Sequence, residues 1–294
     1  MIAERLLARG LRVRMIRRGA VEVRGVEAVA ADVSDPAQAT SAMRGASVVY
    51  HTANPRYHRW STEILPLAEG IVRGATAAGA RLVALDNLYM YEVPADGRLA
   101  PDTRVAPRSK KGALRARAAE LMLAAKVPVA IARASDFFGP KTTSSLFGER
   151  FWPRLLAGRA VEVMGDPEQP HTYSYTPDVA DGLVTLGLAE DDAFGRVWHL
   201  PANPAEPTRA WVERFARAVG VTPRMTRFSP MMLKVVGLFI PEAGELPEMM
   251  YQWQAPFVLD DSAFRARFGA TPTPVARAVT ETTAWATGRW ARAA

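Results

Sequence analysis

The chain has 294 residues, 49% of them hydrophobic and 9% aromatic, with a formal net charge of +7 and no cysteine. That composition supports a large core in one domain, or in a domain with a second lobe grown from it. It excludes disulfides, thiolate catalysis and cysteine-bound metals, and it suits a cytoplasmic protein.

No apolar run reaches the roughly 20 residues that a membrane span requires. The longest, MMLKVVGLFI at 231–240, is too short and contains Lys234. Arg5 and Arg9 interrupt what would have to be the apolar region of a secretion signal. The basic balance invites a nucleic-acid reading. Against it, only five of the 37 basic residues are lysine, the arginines are spread along the whole length, and no basic run is interleaved with aromatics. The expected partner is a small molecule, with neither nucleic acid nor membrane, acting on a monomer or homodimer.

Short apolar runs alternate with helical segments, which predicts a parallel sheet covered on both faces. Strands are expected at 11–17, 26–33 and 46–53, with SDPAQA opening a helix after the second. A helix over 61–79 carries Ile64, Ala68, Ile71 and Ala75 on its buried face. A strand at 81–87, a helix over 110–126 with Leu114, Ala118, Leu121 and Ala125 on one face, and a strand at 127–133 complete the alternation. The rhythm then loosens. A helix at 145–158, a strand in AVEVMG, the Pro-rich DPEQPHTYSYTP, a helix at 178–189 and a strand at 196–201 follow. Helices are expected at 208–219, 230–239, 245–253, 261–268 and 275–291.

This pattern predicts an α/β, doubly wound, Rossmann-like sheet over 1–140, joined by 172–203, with a smaller, mostly helical substrate lobe from 141–171 and 204–294. A doubly wound nucleotide fold begins with a strand, a glycine-rich turn and a helix facing the pyrophosphate. Here MIAERLLARGLRVRMIRRG reads as the end of that helix and the second strand. Met1 is therefore expected to be internal to a natural product that extends on the order of 15 residues upstream, one strand plus a turn.

Seven landmarks, ADVSDP, VVYHTANP, VALDNLYMYE, ARASDFFGP, TYSYTPDVADGL, GRVWHLP and FGATPTP, stand in this order along the chain. With them the sequence resembles the extended and atypical short-chain dehydrogenase/reductases, the NAD-dependent epimerase/dehydratase family, across essentially its whole length. The resemblance implies hydride transfer between a nicotinamide cofactor and a small organic substrate. A catalytically silent dinucleotide-binding sensor is the alternative.

The resemblance also implies roles for residues beyond the strand ends, where ligands of open parallel sheets bind. Arg17 and Arg18 stand where an acidic residue would take the ribose hydroxyls of NAD. Arginine there suits a 2′-phosphate, so NADP is favoured over NAD. Asp32 and Val33 fall beside the adenine. Thr52, Ala53 and Asn54 fall beside the nicotinamide-side ribose, and Phe137, Phe138, Gly139 and Pro140 wall the nicotinamide. His171 and Tyr175 are expected substrate contacts, and Asp178 is expected to cap or anchor its helix. Scattered histidines (51, 58, 171, 199) without ligand spacing predict no metal site.

The family's usual serine, tyrosine and lysine are not all here. Asp86 and Asn87 stand where the serines would be, and Asn87 can hydrogen-bond a substrate carbonyl. The helix SKKGALRARAAE contains no tyrosine. It is similar to a branch in which a lysine takes the acid/base position, followed by an aliphatic residue and arginine. Lys111, Leu114 and Arg115 fit that spacing. A desolvated lysine beside a cationic ring gives up its proton more readily, so Lys111 is the expected proton donor. Whether Tyr91 or Tyr89 supplies the missing phenol stays open.

Overall fold

The computed structural model describes residues 1–19, 22–229, 231–233, 238–239 and 241–291. The helix expected at 230–239, with Lys234, lies partly outside them. The chain forms two compact units. The first comprises Met1–Met90, Val105–Arg133 and Ala180–Leu200, and the second comprises Tyr91–Arg104, Ala134–Val179 and Pro201–Ala294. Relative to the boundaries expected from sequence, 91–104, 134–140, 172–179 and 201–203 fall in the second unit, which is as extensive as the first.

In the first unit, β-branched and alanine-rich runs pair as parallel strands. Val13–Arg17 pairs with Val26–Ala30. A four-stranded sheet runs in the order Arg196–His199, Val129–Arg133, Arg81–Asp86, Val48–His51. No pairing among the described residues joins the two sheets. Helices Pro36–Met43, Trp60–Ala78 and Lys110–Leu123 bury small residues in the core, with Ala39, Ala68, Ala75, Ala118 and Ala119 meeting Leu82, Ala84 and Ile131. Close approach is built in. A Cβ at Gly70 would stand 1.9 Å from the Val33 carbonyl oxygen, so only glycine lets the long helix lie on that loop.

The second unit is held differently. Its strand pairs are short: Arg98–Leu99 with Val258–Leu259, Asp136–Phe138 with Tyr173–Tyr175, Val161–Met164 with Met225–Phe228, and Pro170–His171 with Glu206–Pro207. Helices Thr208–Ala218 and Val275–Trp290 pack on an aromatic core of Phe138, Phe147, Phe151, Trp152, Tyr173, Trp211 and Phe215.

Three expectations of helix geometry need correction. The helix predicted at 145–158 is only Trp152–Leu156. Before it, Glu149 N–H donates to the Thr143 carbonyl in a tight turn that lets Phe147 and Phe151 face inward. The helix expected at 245–253 is a 3₁₀ turn over Pro247–Trp253. The buried face of Lys110–Leu123 runs through Lys111, Arg115, Ala118, Ala119 and Met122, whereas Leu114, Leu121 and Ala125 are only half-buried.

Candidate functional site

The four-stranded parallel sheet ends on polar side chains. His51, Asp86, Arg133 and His199 close their strands, and all four are buried. Asp86 and Arg133 are register partners in adjacent strands, which brings Arg133 Nε to donate to Asp86 Oδ2 at 3.2 Å. Arg115 reaches the same carboxylate from the helix, with a nitrogen 3.6 Å from Asp86 Oδ1.

The helix arrives there for identifiable reasons. Ser109 caps it, its Oγ accepting from Gly112 N–H at 3.0 Å. Gly112 allows the first turn to press on the preceding loop, since a Cβ would stand 2.3 Å from the Tyr89 carbonyl oxygen. Lys111 and Arg115, four residues apart, then share one face. Lys111 Nζ lies 4.7 Å from the centre of the Tyr57 ring, and the Arg115 guanidinium lies 4.3 Å from that of Trp60. Arg115 also donates to Asn54 Oδ1 at 2.7 Å. Burial pushes the Arg115 guanidinium below its ordinary value, against the pull of Asp86. Burial, with Arg115 adding to it, lowers His51 to about 4, so its imidazole is neutral at pH 7.

Of the expected site residues, Lys111, Asn87 and Asn54 gather around this strand end. Lys111 is only 4% exposed. Asn87 Oδ1 accepts from Tyr89 N–H at 3.1 Å, which leaves its amide nitrogen to donate. Thr52, Ala53 and Asn54 are exposed. Arg17 and Arg18 are exposed at the end of Val13–Arg17, Arg18 standing 4.0 Å from Asp32. Asp32 accepts from Ser34 Oγ at 2.6 Å and from Ser34 N–H at 3.0 Å, bonds that hold its carboxyl below the usual range. Val33 is half-buried beside Gly70.

Other expected contacts turn out to be internal to the second unit. Phe138, expected to wall the nicotinamide, has no exposed surface and packs 4.6 Å from Trp211 and 5.2 Å from Tyr175. Gly139 has φ +128°, and a Cβ there would meet Thr176 Oγ1 at 2.6 Å, so its glycine serves backbone packing. Tyr91 is fully buried and donates to the Pro101 carbonyl. His171, expected to touch substrate, is stacked between Trp253 and Phe257, with its ring nitrogens on Asp136 (2.7 Å) and the Gln252 carbonyl (3.1 Å). Tyr175 donates to Glu281 at 2.6 Å. Asp178 lies inside its helix and anchors Thr273 through backbone and hydroxyl bonds of 2.8 and 2.6 Å. Met249 and Met250 are core, whereas Met231 and Met232 are exposed.

Sequence reasoning gave no weight to Arg133 or to His51 as part of one site. The available signal was position: each ends a strand of the sheet. No group of three or more histidine, aspartate or glutamate side chains among the described residues could hold a metal ion. No helix among them is long and apolar enough to cross a membrane.

Solved structures share this fold. MoeE5 in complex with UDP-glucose and NAD is 19% identical at a TM-score of 0.79, covering 98% of this chain and 94% of its own. The UDP-glucuronic acid 4-epimerase from Bacillus cereus in complex with NAD is 12% identical at 0.77, covering 98% and 94%. A double mutant of DesIV, a dTDP-glucose 4,6-dehydratase from Streptomyces venezuelae with NAD and DAU bound, is 17% identical at 0.77, covering 99% and 95%. No curated protein sequence matches the chain. The family described as NAD dependent epimerase/dehydratase matches residues 1–198. The chain therefore belongs to the NAD dependent epimerase/dehydratase family.

Proposed function

We propose that this protein is a nicotinamide-dinucleotide-dependent oxidoreductase or epimerase that transfers a hydride to or from a small organic substrate. The observation that carries the reading is Lys111, a buried lysine on the first helical turn beside the carboxyl end of Arg81–Asp86. Parallel sheets bind ligands at that end, and a lysine held there can deliver or remove a proton. Asn87, whose Oδ1 accepts from Tyr89 N–H, has an amide N–H to offer a substrate carbonyl, while Asp86, held by two guanidiniums, fixes the frame around it.

The residues present fit a dinucleotide at its two ends. Arg17, Arg18, Asp32 and Val33 offer an adenosine site, and the exposed Thr52, Ala53 and Asn54 offer a ribose site. The sequence contains no glycine-rich GxGxxG turn for the pyrophosphate. When bound, the dinucleotide supplies the hydride chemistry. Two exposed guanidiniums favour a 2′-phosphate and hence NADP, although the solved neighbours cited above carry NAD. In this reading the first unit holds the dinucleotide and the second governs substrate choice. The enzyme works in the cytoplasm as a monomer or homodimer on a small molecule, without nucleic acid or membrane.

The test has two stages. NADPH and NADH binding is followed by fluorescence, and then cofactor oxidation is measured against a set of carbonyl compounds. Replacing both Arg17 and Arg18 by alanine should weaken NADPH by about tenfold and leave NADH unchanged. Lys111→Met should cut kcat by about 10²–10⁴ while dinucleotide binding persists. Undiminished turnover in that variant would remove Lys111 from the acid/base role. A second reading, a dinucleotide-binding sensor without turnover, is favoured by the helix lacking a tyrosine and by Asp86 locked in ion pairs where a hydroxyl would otherwise stand. Dinucleotide binding with no oxidation of any carbonyl would select it.

A further inference from the structure

Three segments remote in sequence meet at His171, all within the second unit. The strand Pro170–His171 carries the ring, Asp136 reaches it from Asp136–Phe138, and Gln252 and Trp253 reach it from the turn Pro247–Trp253. Nε2 lies 2.7 Å from Asp136 Oδ2, and Nδ1 lies 3.1 Å from the Gln252 carbonyl oxygen. A backbone carbonyl and an ionised carboxylate only accept hydrogen bonds. A neutral imidazole has one N–H, so one of its nitrogens would set a lone pair against an oxygen lone pair. With a proton on each nitrogen, both contacts become hydrogen bonds. The faces of the ring favour the same state. Trp253 and Phe257 stack on it at 5.3 Å, tilted by 10° and 16°, and aromatic faces attract a cation. Among the described residues, the titratable groups touching the ring are Asp136 and Tyr173. The Tyr173 ring stands 4.8 Å away, and burial drives its phenol upward, so it stays neutral.

The turn that His171 meets needs an outside hold. It runs as a 3₁₀ helix for seven residues, and runs beyond three or four are uncommon because their hydrogen bonds are poorly aligned. Met249 N–H donates to the Leu246 carbonyl at 2.9 Å and Gln254 N–H to the Tyr251 carbonyl at 3.3 Å. The Gln252 carbonyl between them is taken by His171.

We infer that His171 is a doubly protonated imidazolium that acts as a pH-sensitive latch, fastening the turn Pro247–Trp253 to the strand Asp136–Phe138 and releasing the turn as the pH rises. The fold supplies an acceptor for each ring proton and the unfolded chain supplies neither. The stability given by the latch is therefore present at mildly acidic pH and is lost as the pH rises. On release one proton passes to solvent beside Asp136, whose side chain is 23% exposed. The nitrogen left bare then faces an oxygen lone pair, and that contact turns repulsive. The latch is independent of the oxidoreductase reading.

Two measurements on the full chain test it. Imidazole nitrogen NMR at about pH 6 should show both ring nitrogens of His171 protonated, the signals being assigned by their loss in His171→Phe. Hydrogen exchange at the Met249 and Gln254 amides, corrected for intrinsic rate, should lose about tenfold or more of its protection between about pH 6 and about pH 9. Asp136→Asn puts a donor amide against Nε2, so that a neutral ring satisfies both contacts. Protection in that variant should be equal at the two pH values and should exceed the wild type's at the higher one. His171→Phe, which keeps the stack, should show the lower protection throughout. If it does not fold, Asp136→Asn still decides, because the signals that shift in it identify His171. A bare ring nitrogen in the wild type at the lower pH overturns the inference. So does protection that ignores pH in the wild type, or that falls as much in Asp136→Asn.

Discussion

The two units bury different things. The first is filled by alanine, valine, leucine and isoleucine between helices and a four-stranded sheet, and two of its buried charged groups, Asp86 and Arg133, close strands of that sheet. The second interlocks aromatic rings around strand pairs of only two to four residues. Small side chains let helices lie close to the sheet, so regular backbone hydrogen bonds hold the first unit and its strand ends are left for charge. Where the ladders are short, large rings must supply the contact area. One unit is thus organised around backbone and the other around side chains.

Several substitutions break or sharpen this contrast, in order of decreasing effect. Phe215 stands within 6.3 Å, centre to centre, of five aromatic rings. Phe215→Ala should cost about 3–5 kcal/mol and melt the second unit first, as read by near-ultraviolet circular dichroism during heating. Asp86→Asn strands Arg115 and Arg133 without their carboxylate. Its cost should approach the same value, about 3–4 kcal/mol, but the loss should appear in hydrogen exchange of strands Arg81–Asp86 and Val129–Arg133. A negligible change there would mean that the strand-end charges do not stabilise the sheet.

His51 sharpens the contrast by pH. Its folded value of about 4 lies below the unfolded value, so the unfolded chain takes up the proton first as the solution is acidified. The stability it contributes is complete above pH 6.5 and declines toward pH 4, by roughly 3 kcal/mol at the lower end. His51→Leu should flatten that part of the stability curve relative to the wild type, measured by urea unfolding at several pH values. Tyr175→Phe removes the 2.6 Å bond to Glu281 and should cost only about 1 kcal/mol. A larger loss would show that polar contacts matter more to the aromatic unit than its packing suggests.

Much of the first unit was legible in the sequence because alternation of apolar runs maps directly onto a parallel sheet. The Trp60–Ala78 helix kept the buried face read from Ile64, Ala68, Ile71 and Ala75. The Lys110–Leu123 helix did not keep its face, because periodicity counts lysine and arginine as solvent-facing. The partners of Arg115, Asp86 and Asn54, lie 29 and 61 residues away along the chain. The surroundings of the aromatic landmarks were hidden for a related reason. The family resemblance implied ligand roles for Phe138, His171 and Tyr175, whereas their neighbours Trp211, Trp253 and Glu281 are remote in sequence and leave no local pattern.

By itself, then, the sequence determined the alternating strands and helices, the family, and the presence of a lysine where the helix meets the sheet. The tertiary structure alone decided that Lys111 and Arg115 turn inward, that Asp86 is shared by two guanidiniums, and that Phe138 packs in the aromatic core. Local pattern encodes which residues can form an element, whereas burial of charge depends on which distant groups arrive to pair with it.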